Sequence, residues 1–229
     1  MNSLKNKKVL VTGGARGIGR QIALDFAKEG ADIIICDLDK SFFDKEHFRK
    51  NVNDIEDLGV SCWGYCLDVT KFDDVVNMRE QILNDIGKID VLVNNAGVVF
   101  GGKFLDVSIE KHQLTYDVNI QGIVNMLYVF LQDLIDQPNS HIVNIASASG
   151  FTALPGGTTY ASSKAAVSSL SESLRLELKK DGQAGRNQIT QYTRYGTVVL
   201  AFVQASALAV TLGASGLAYE PGTSFFISA

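Results

Sequence analysis

Apolar and polar positions along the chain alternate between two periods. Lys7-Lys8-Val9-Leu10-Val11 reads as a short buried strand, and Ile18, Ile22, Ala23, Phe26 and Ala27 then fall on one helical face closed by Gly30. Ala31-Asp32-Ile33-Ile34-Ile35-Cys36-Asp37 reads as the next strand. In all, strands are expected near residues 7–12, 32–37, 60–66, 89–93 and 140–146. Helices are expected over Phe42–Leu58, Phe72–Ile86, Ser108–Leu134 and Thr158–Lys180. Strand and helix alternating through short connections imply an α/β fold with a doubly wound parallel sheet in three layers, α/β/α. The whole chain, 1–229, is expected to be a single domain.

The first connection carries candidate chemistry. Thr12-Gly13-Gly14-Ala15-Arg16-Gly17-Ile18-Gly19 lies between the first strand and its helix. Glycines at that spacing let the backbone turn tightly and approach a pyrophosphate, which the helix N-terminus stabilises. The second strand ends on Asp37, where a carboxylate can accept hydrogen bonds from both hydroxyls of a ribose. Strand, glycine turn, helix, strand and acid in that order point to a dinucleotide site.

A second constellation lies in the last predicted helix. Tyr160 and Lys164, four apart, share one face, where an ammonium favours the phenolate and lets the phenol give or take a proton. The plainer alternative is a packed tyrosine beside a solvated lysine. Ser147 stands just past the carboxyl end of the strand His141–Ala146, the edge at which open α/β sheets bind ligands.

With these residues in hand, the chain resembles the short-chain dehydrogenase/reductase family over roughly residues 4–181, a Rossmann fold. The family's glycine motif is met at Thr12, Gly13, Gly17 and Gly19, with Arg16 and Ile18 inside it. Its adenine-contacting acid is met by Asp68, followed by Val69, and its N-N-A-G motif by Asn94, Asn95, Ala96 and Gly97. The helix asparagine matches Asn119, the catalytic serine Ser147, and the Y-x-x-x-K pair Tyr160 and Lys164. The resemblance implies hydride transfer between a nicotinamide cofactor and an alcohol or ketone, with Tyr160 as acid/base. Lys164 would stabilise the phenolate and bond the nicotinamide ribose, Ser147 would hold the substrate oxygen, and Asn119 would support a water relay. Ser147 as a strand-end cap and Asn119 as a helix-interior polar group are the plain alternatives. Asn144, Ser149, Ser162 and Ser163 miss the family register and rank below them.

Asp37 would repel a 2′-phosphate and so favours NAD, whereas Arg16 is the basic position that NADP-using relatives exploit. NAD is the expected cofactor. The stretches NNAGVVFGGKFLD and HIVNIASASG look most like the branch acting on retinol, hydroxysteroid and long-chain alcohols. Phe100, Phe104 and Phe151 would line an apolar pocket rim, unless they pack in the core. The alternatives are a 3-oxoacyl thioester reductase and a nucleotide-binding or scaffold protein without turnover. The resemblance also implies a homodimer or homotetramer packed through the helices 108–134 and 158–180. Ile120, Ile123, Val124, Leu127 and Leu131 exceed what one sheet-facing stripe needs.

Composition changes this picture little. A net charge of −4 and the absence of any long basic cluster argue against nucleic-acid binding. The start MNSLKNKK leads into a core strand without a separate apolar leader, and the three cysteines suggest reduced thiols, so a cytoplasmic location is expected. Cys62 and Cys66 would share one strand face as buried thiols. His47, His112 and His141 are too scattered for a hydrolase triad or a metal site.

After Asp181 the pattern changes: only Arg186, Arg194 and Glu220 are charged, and Tyr195–Tyr219 carries no charge at all. Its glycines, Gln204 and hydroxyl residues make that stretch a poor membrane span, while Thr197–Val203 is a candidate replacement sixth strand. The family's nicotinamide clamp and substrate lid have no recognisable counterpart in 182–229. Irregular structure there, and weak activity, are therefore expected.

Overall fold

The computed structural model describes residues 4–44, 48–152 and 154–180. Five strands, β1 (Lys8–Thr12), β2 (Asp32–Asp37), β3 (Cys62–Cys66), β4 (Val91–Asn94) and β5 (His141–Asn144), form one parallel sheet in the order β3-β2-β1-β4-β5. Register is fixed by pairs such as Val9 with Ile33, Val9 with Val91, and Val91 with His141. Chain order reverses between β1 and β4, and the crevice beyond their carboxyl ends is where such sheets bind ligands.

Side chains alternate across β1, and each face has its own core. Val9, Val11, Ile33, Ile35, Val91 and Val93 pack under α1 (Gly17–Lys28) and α2 (Phe48–Glu56) through Ala23, Ala27, Val52 and Ile55. Leu10, Ile34, Leu92 and Ile142 face α3 (Phe72–Asp85), α5 (Gly122–Ile135) and α6 (Thr158–Lys180) through Val75, Ile82, Met126, Phe130 and Val167. Burying each large aliphatic side chain in these layers contributes about 1.5–3 kcal/mol. The three-layer α/β/α architecture and the helix at 158–180 are as the sequence indicates.

Three local expectations need correction. Of the helix expected over Phe42–Leu58, the structure describes α2 over Phe48–Glu56, while Phe42 and Phe43 stand in a turn with their rings packed on each other and on Phe48. That cluster sits on Gly64 of β3, where a Cβ would come within 2.3 Å of the Phe48 ring. The helix expected over 108–134 is α4 (Ile109–Tyr116) and α5 joined by a π-helical turn, Asp117–Gln121. A wide turn inside a helix re-aims side chains, and here it carries the buried Asn119. Cys62 is buried as expected, but Cys66 is exposed at the end of β3, which is the outermost strand on that side among the described residues.

The continuous helical run Ile109–Ile135 is long and apolar enough to cross a membrane by length and composition, and half of its most apolar window is buried inside the protein. Ile123 and Leu127 belong to the core, while Ile120, Val124 and Leu131 are half-buried. His47 and all expectations for 182–229, including Thr197–Val203, lie outside the described residues.

Candidate active site

At the mouth of β1 the chain turns through Gly13, with φ of 64°, and Gly17, with φ of 57°, both in the left-handed region that favours glycine. A Cβ on Gly19 would sit 2.2 Å from the Gly13 carbonyl oxygen and 2.5 Å from Asn95 Nδ2, so the turn closes tightly on itself. A Cβ on Gly17 would meet nothing within 4 Å, which leaves this side of the turn open to an approaching group. Arg16 precedes α1 without a side-chain cap, and no acid stands in the first helical turn, which contains Ile18. Backbone N–H groups at such an end favour an anion. Glycine cradle, uncapped helix and open approach together fit a diphosphate.

Thr12 ties this turn to the loop after β4. Its Oγ1 accepts from the backbone N–H groups of Asn95 and Ala96, both at 2.9 Å, and donates to the Val93 carbonyl at 3.4 Å. Asn95 answers with its own amide, donating to the carbonyls of Thr12 at 2.9 Å and Gly13 at 3.2 Å. The β1 and β4 loops are thus held together across the switch point.

Asp37 ends β2 half-buried, with Oδ2 accepting from the Ala15 N–H at 3.1 Å and Oδ1 from the Asp39 N–H at 3.3 Å. Its carboxylate therefore sits beside the glycine turn. Arg16 is exposed, and its charge acts on Asp39. Asp39 is held below the usual carboxylate range first by the Ser41 hydroxyl and the Ser41 N–H, with Arg16 a smaller contribution. Asp68 accepts from the hydroxyl and N–H of Thr70 at 2.7 and 3.0 Å, and the Val69 carbonyl accepts from Asn125 Nδ2 at 2.9 Å.

The second half of the site gathers around α6. Lys164 is 4% exposed, and its Nζ donates to the Ile145 carbonyl at 2.7 Å. Burial pushes its pKa down to about 8. The same ammonium lies 5.8 Å from the centroid of the Tyr160 ring, so the i, i+4 pair meets as its spacing requires. Asn119 is fully buried: Oδ1 accepts from the Val98 N–H at 2.8 Å, and Nδ2 donates to the Val98 carbonyl and Ser163 Oγ, both at 3.0 Å. A Cβ on Gly97 would lie 3.2 Å from Asn119 Oδ1 and 3.6 Å from Lys164 Nζ, so these three positions converge. Ser147, 6% exposed, accepts from Ser149 Oγ at 2.9 Å and from the Ser149 N–H at 3.3 Å. The turn that follows it presses on α6, since a Cβ on Gly150 would approach the Lys164 backbone to 2.8 Å.

The structure thus brings Thr12, Gly13, Gly19, Asn95 and Ala96 together at the glycine turn, with Asp37 tied to it through Ala15. It gathers Gly97, Asn119, Tyr160 and Lys164 around α6, whereas Asp68 and Val69 bond instead with Thr70 and Asn125. The four residues ranked lower supply the supporting contacts. Ser149 meets Ser147, and Ser163 joins Asn119 to the Tyr160 carbonyl, 2.7 Å away. Asn144 links Asn94 to Ser171 at 2.8 and 2.9 Å, and Ser162 meets the Tyr116 hydroxyl at 2.8 Å. Only the i, i+3 spacing of Tyr160 and Ser163 signalled any of this in the sequence. Of the three rim candidates, Phe104 and Phe151 are 58% and 72% exposed, and Phe100 is half-buried. They are not core residues.

The short chain dehydrogenase family profile matches residues 7–190, somewhat further than the motifs alone reach. Oxidoreductase UcpA of Salmonella typhimurium is 36% identical over 183 residues, covering 80% of this chain and 67% of the relative. The 3-oxoacyl-[acyl-carrier-protein] reductase FabG of Thermotoga maritima is 36% identical over 184 residues, covering 80% and 71%. An NAD+-bound xylitol dehydrogenase structure superimposes with a TM-score of 0.71 at 30% identity, over 78% of this chain and 67% of that one. The chain belongs to the short-chain dehydrogenase/reductase family of oxidoreductases.

Proposed function

We propose that this chain is an NAD-dependent oxidoreductase that interconverts an apolar secondary alcohol and its ketone, with Tyr160 as the acid/base. The observation that carries this reading is the buried Lys164 ammonium lying against the Tyr160 ring, with Ser147 on the adjoining turn. When bound, the nicotinamide accepts or gives the hydride at the carbinol carbon. The protein's own task is the proton. In oxidation Tyr160 takes the alcohol proton as the C=O bond forms, and in reduction it returns the proton to the ketone oxygen. Lys164 favours the phenolate electrostatically and bonds the ribose, Ser147 orients the substrate oxygen, and Asn119 supports the proton path behind Lys164. Acid–base help of this kind is worth roughly 10²–10⁴ in rate.

Thr12, Gly13, Gly17, Ile18 and Gly19 would hold the diphosphate, Asp37 the adenosine ribose, Asp68 and Val69 the adenine, and Asn95–Gly97 the inner face of the cofactor. NAD is favoured because the Asp37 carboxylate lies beside the glycine turn, bonded to the Ala15 N–H, and a carboxylate there would repel a 2′-phosphate. The exposed aromatic rings of Phe104 and Phe151 favour an apolar substrate. A second reading, reduction of a 3-oxoacyl thioester, is favoured by the 36% identity to FabG. A homodimer or homotetramer is supported by the half-buried Ile120, Val124 and Leu131 and the 78% exposed Tyr128 on the α5 side.

A panel of apolar secondary alcohols and their ketones, assayed beside a 3-oxoacyl thioester with NAD and NADP couples, tests the reading. Turnover of the alcohols with NAD supports it. Turnover of the thioester alone favours the second reading, and reduced cofactor binding without any turnover favours a nucleotide-binding protein.

A further inference from the structure

His112, on α4, joins two segments that border the site. One ring nitrogen, Nδ1, is in hydrogen-bond contact with Thr159 Oγ1, and the other, Nε2, lies 3.0 Å from the Phe104 carbonyl oxygen. The imidazole also stacks on the Phe104 ring, with centroids 4.7 Å apart and planes inclined by 29°. Thr159 is 8% exposed and immediately precedes Tyr160 in the first turn of α6. Phe104 opens the short 3-10 turn Phe104–Asp106, in the segment leading from Gly97 to α4.

Elementary hydrogen-bond chemistry orders these contacts. A carbonyl oxygen only accepts, so Nε2 must carry the ring proton. In the neutral imidazole Nδ1 is then an acceptor, and the Thr159 hydroxyl donates to it. Both nitrogens are used, and the buried hydroxyl is satisfied. The first turn of a helix is the part its own hydrogen bonds restrain least, so a buried side-chain anchor there fixes the direction of the next residue.

We propose that His112 is a positioning residue: through Thr159 it sets the first turn of α6 and the aim of Tyr160, and through Phe104 it holds the apolar rim on the substrate side. The proposal rests on the reading of Tyr160 as acid/base. One imidazole then keeps the proton donor and the substrate rim at a fixed spacing. A misplacement of about 1 Å at a reacting group costs on the order of 10²-fold in rate, and loss of one anchor is expected to cost about tenfold in kcat.

The test uses the full chain labelled with 15N-histidine and 13C-tyrosine. At about pH 8 the His112 signals, assigned by their loss in His112→Phe, should show the neutral tautomer protonated at Nε2. The Tyr160 signal, assigned by its loss in Tyr160→Phe, should move in His112→Phe and in Thr159→Val but stay in place in Thr159→Ser. Turnover of the two displaced variants should fall about tenfold in kcat, with the cofactor KM within about twofold of the parent and Thr159→Ser near the parent. A proton on Nδ1 instead, or an unmoved Tyr160 signal in both variants, overturns the proposal. If Tyr160→Phe retains turnover, the acid/base reading fails separately, and the two spectra still decide whether His112 aims Tyr160.

Discussion

The Lys164 ammonium donates a 2.7 Å hydrogen bond to the carbonyl of Ile145, tying the helix that carries Tyr160 to the end of the sheet. With 4% of the residue exposed, this lysine gives up most of its hydration for one carbonyl. That exchange keeps a cation close to the phenol, and it weakens the folded state wherever the lysine is charged.

The sign of the resulting pH dependence follows from burial. The folded-state pKa is about 8 against an ordinary 10.5. Below about pH 8 both states are protonated, and the burial penalty is constant. Between about pH 8 and 10.5 the unfolded chain binds more protons, so this group makes stability rise with pH. Urea unfolding of the parent and of Lys164→Met at about pH 7.5 and pH 10 should show the parent gaining about 2 kcal/mol on the variant. Parallel behaviour of the two proteins would contradict a buried, titrating Lys164.

Thr12→Val should destabilise the fold and weaken cofactor binding together. The change keeps the shape but removes the acceptor for the N–H groups of Asn95 and Ala96. A buried N–H left without a partner costs about 1–3 kcal/mol, and these two are part-buried, so a loss toward the lower end of the sum, on the order of 2 kcal/mol, is expected in urea titration. Thr12→Ser should recover most of it. A Thr12→Val protein as stable as the parent would show that the two loops are not held through this hydroxyl.

Asp37→Ser should shift cofactor preference toward NADP. Removing the carboxylate removes its repulsion of a 2′-phosphate at the end of β2. The ratio of kcat/KM for NAD over NADP should fall by about tenfold or more. An unchanged ratio would mean that Asp37 serves only to hold the Ala15 and Asp39 N–H groups.

What the sequence disclosed was local. The glycine turn, the acid ending β2 and the Tyr160–Lys164 spacing are set by residues close in the chain, where period and spacing translate directly into geometry. The features it hid depend on distant partners. The π-helical turn keeps an ordinary helical pattern of apolar residues, and its break coincides with Asn119, held by Val98 and Ser163. Phe42 and Phe43 read as helix because nothing nearby shows that the Phe43 and Phe48 rings need the bare backbone of Gly64. Strict alternation put Cys66 beside Cys62, but only the strand order reveals that β3 is an outer strand among the described residues.

The central claim is that Tyr160 moves the substrate proton, and Tyr160→Phe tests it most directly. The ring remains to pack beside Lys164, and only the hydroxyl is lost. Turnover of the best alcohol in the panel should become undetectable, while NADH binding measured by fluorescence stays within about twofold of the parent, a difference of roughly 0.4 kcal/mol. A Tyr160→Phe protein that retains turnover, with cofactor binding intact, would contradict the account.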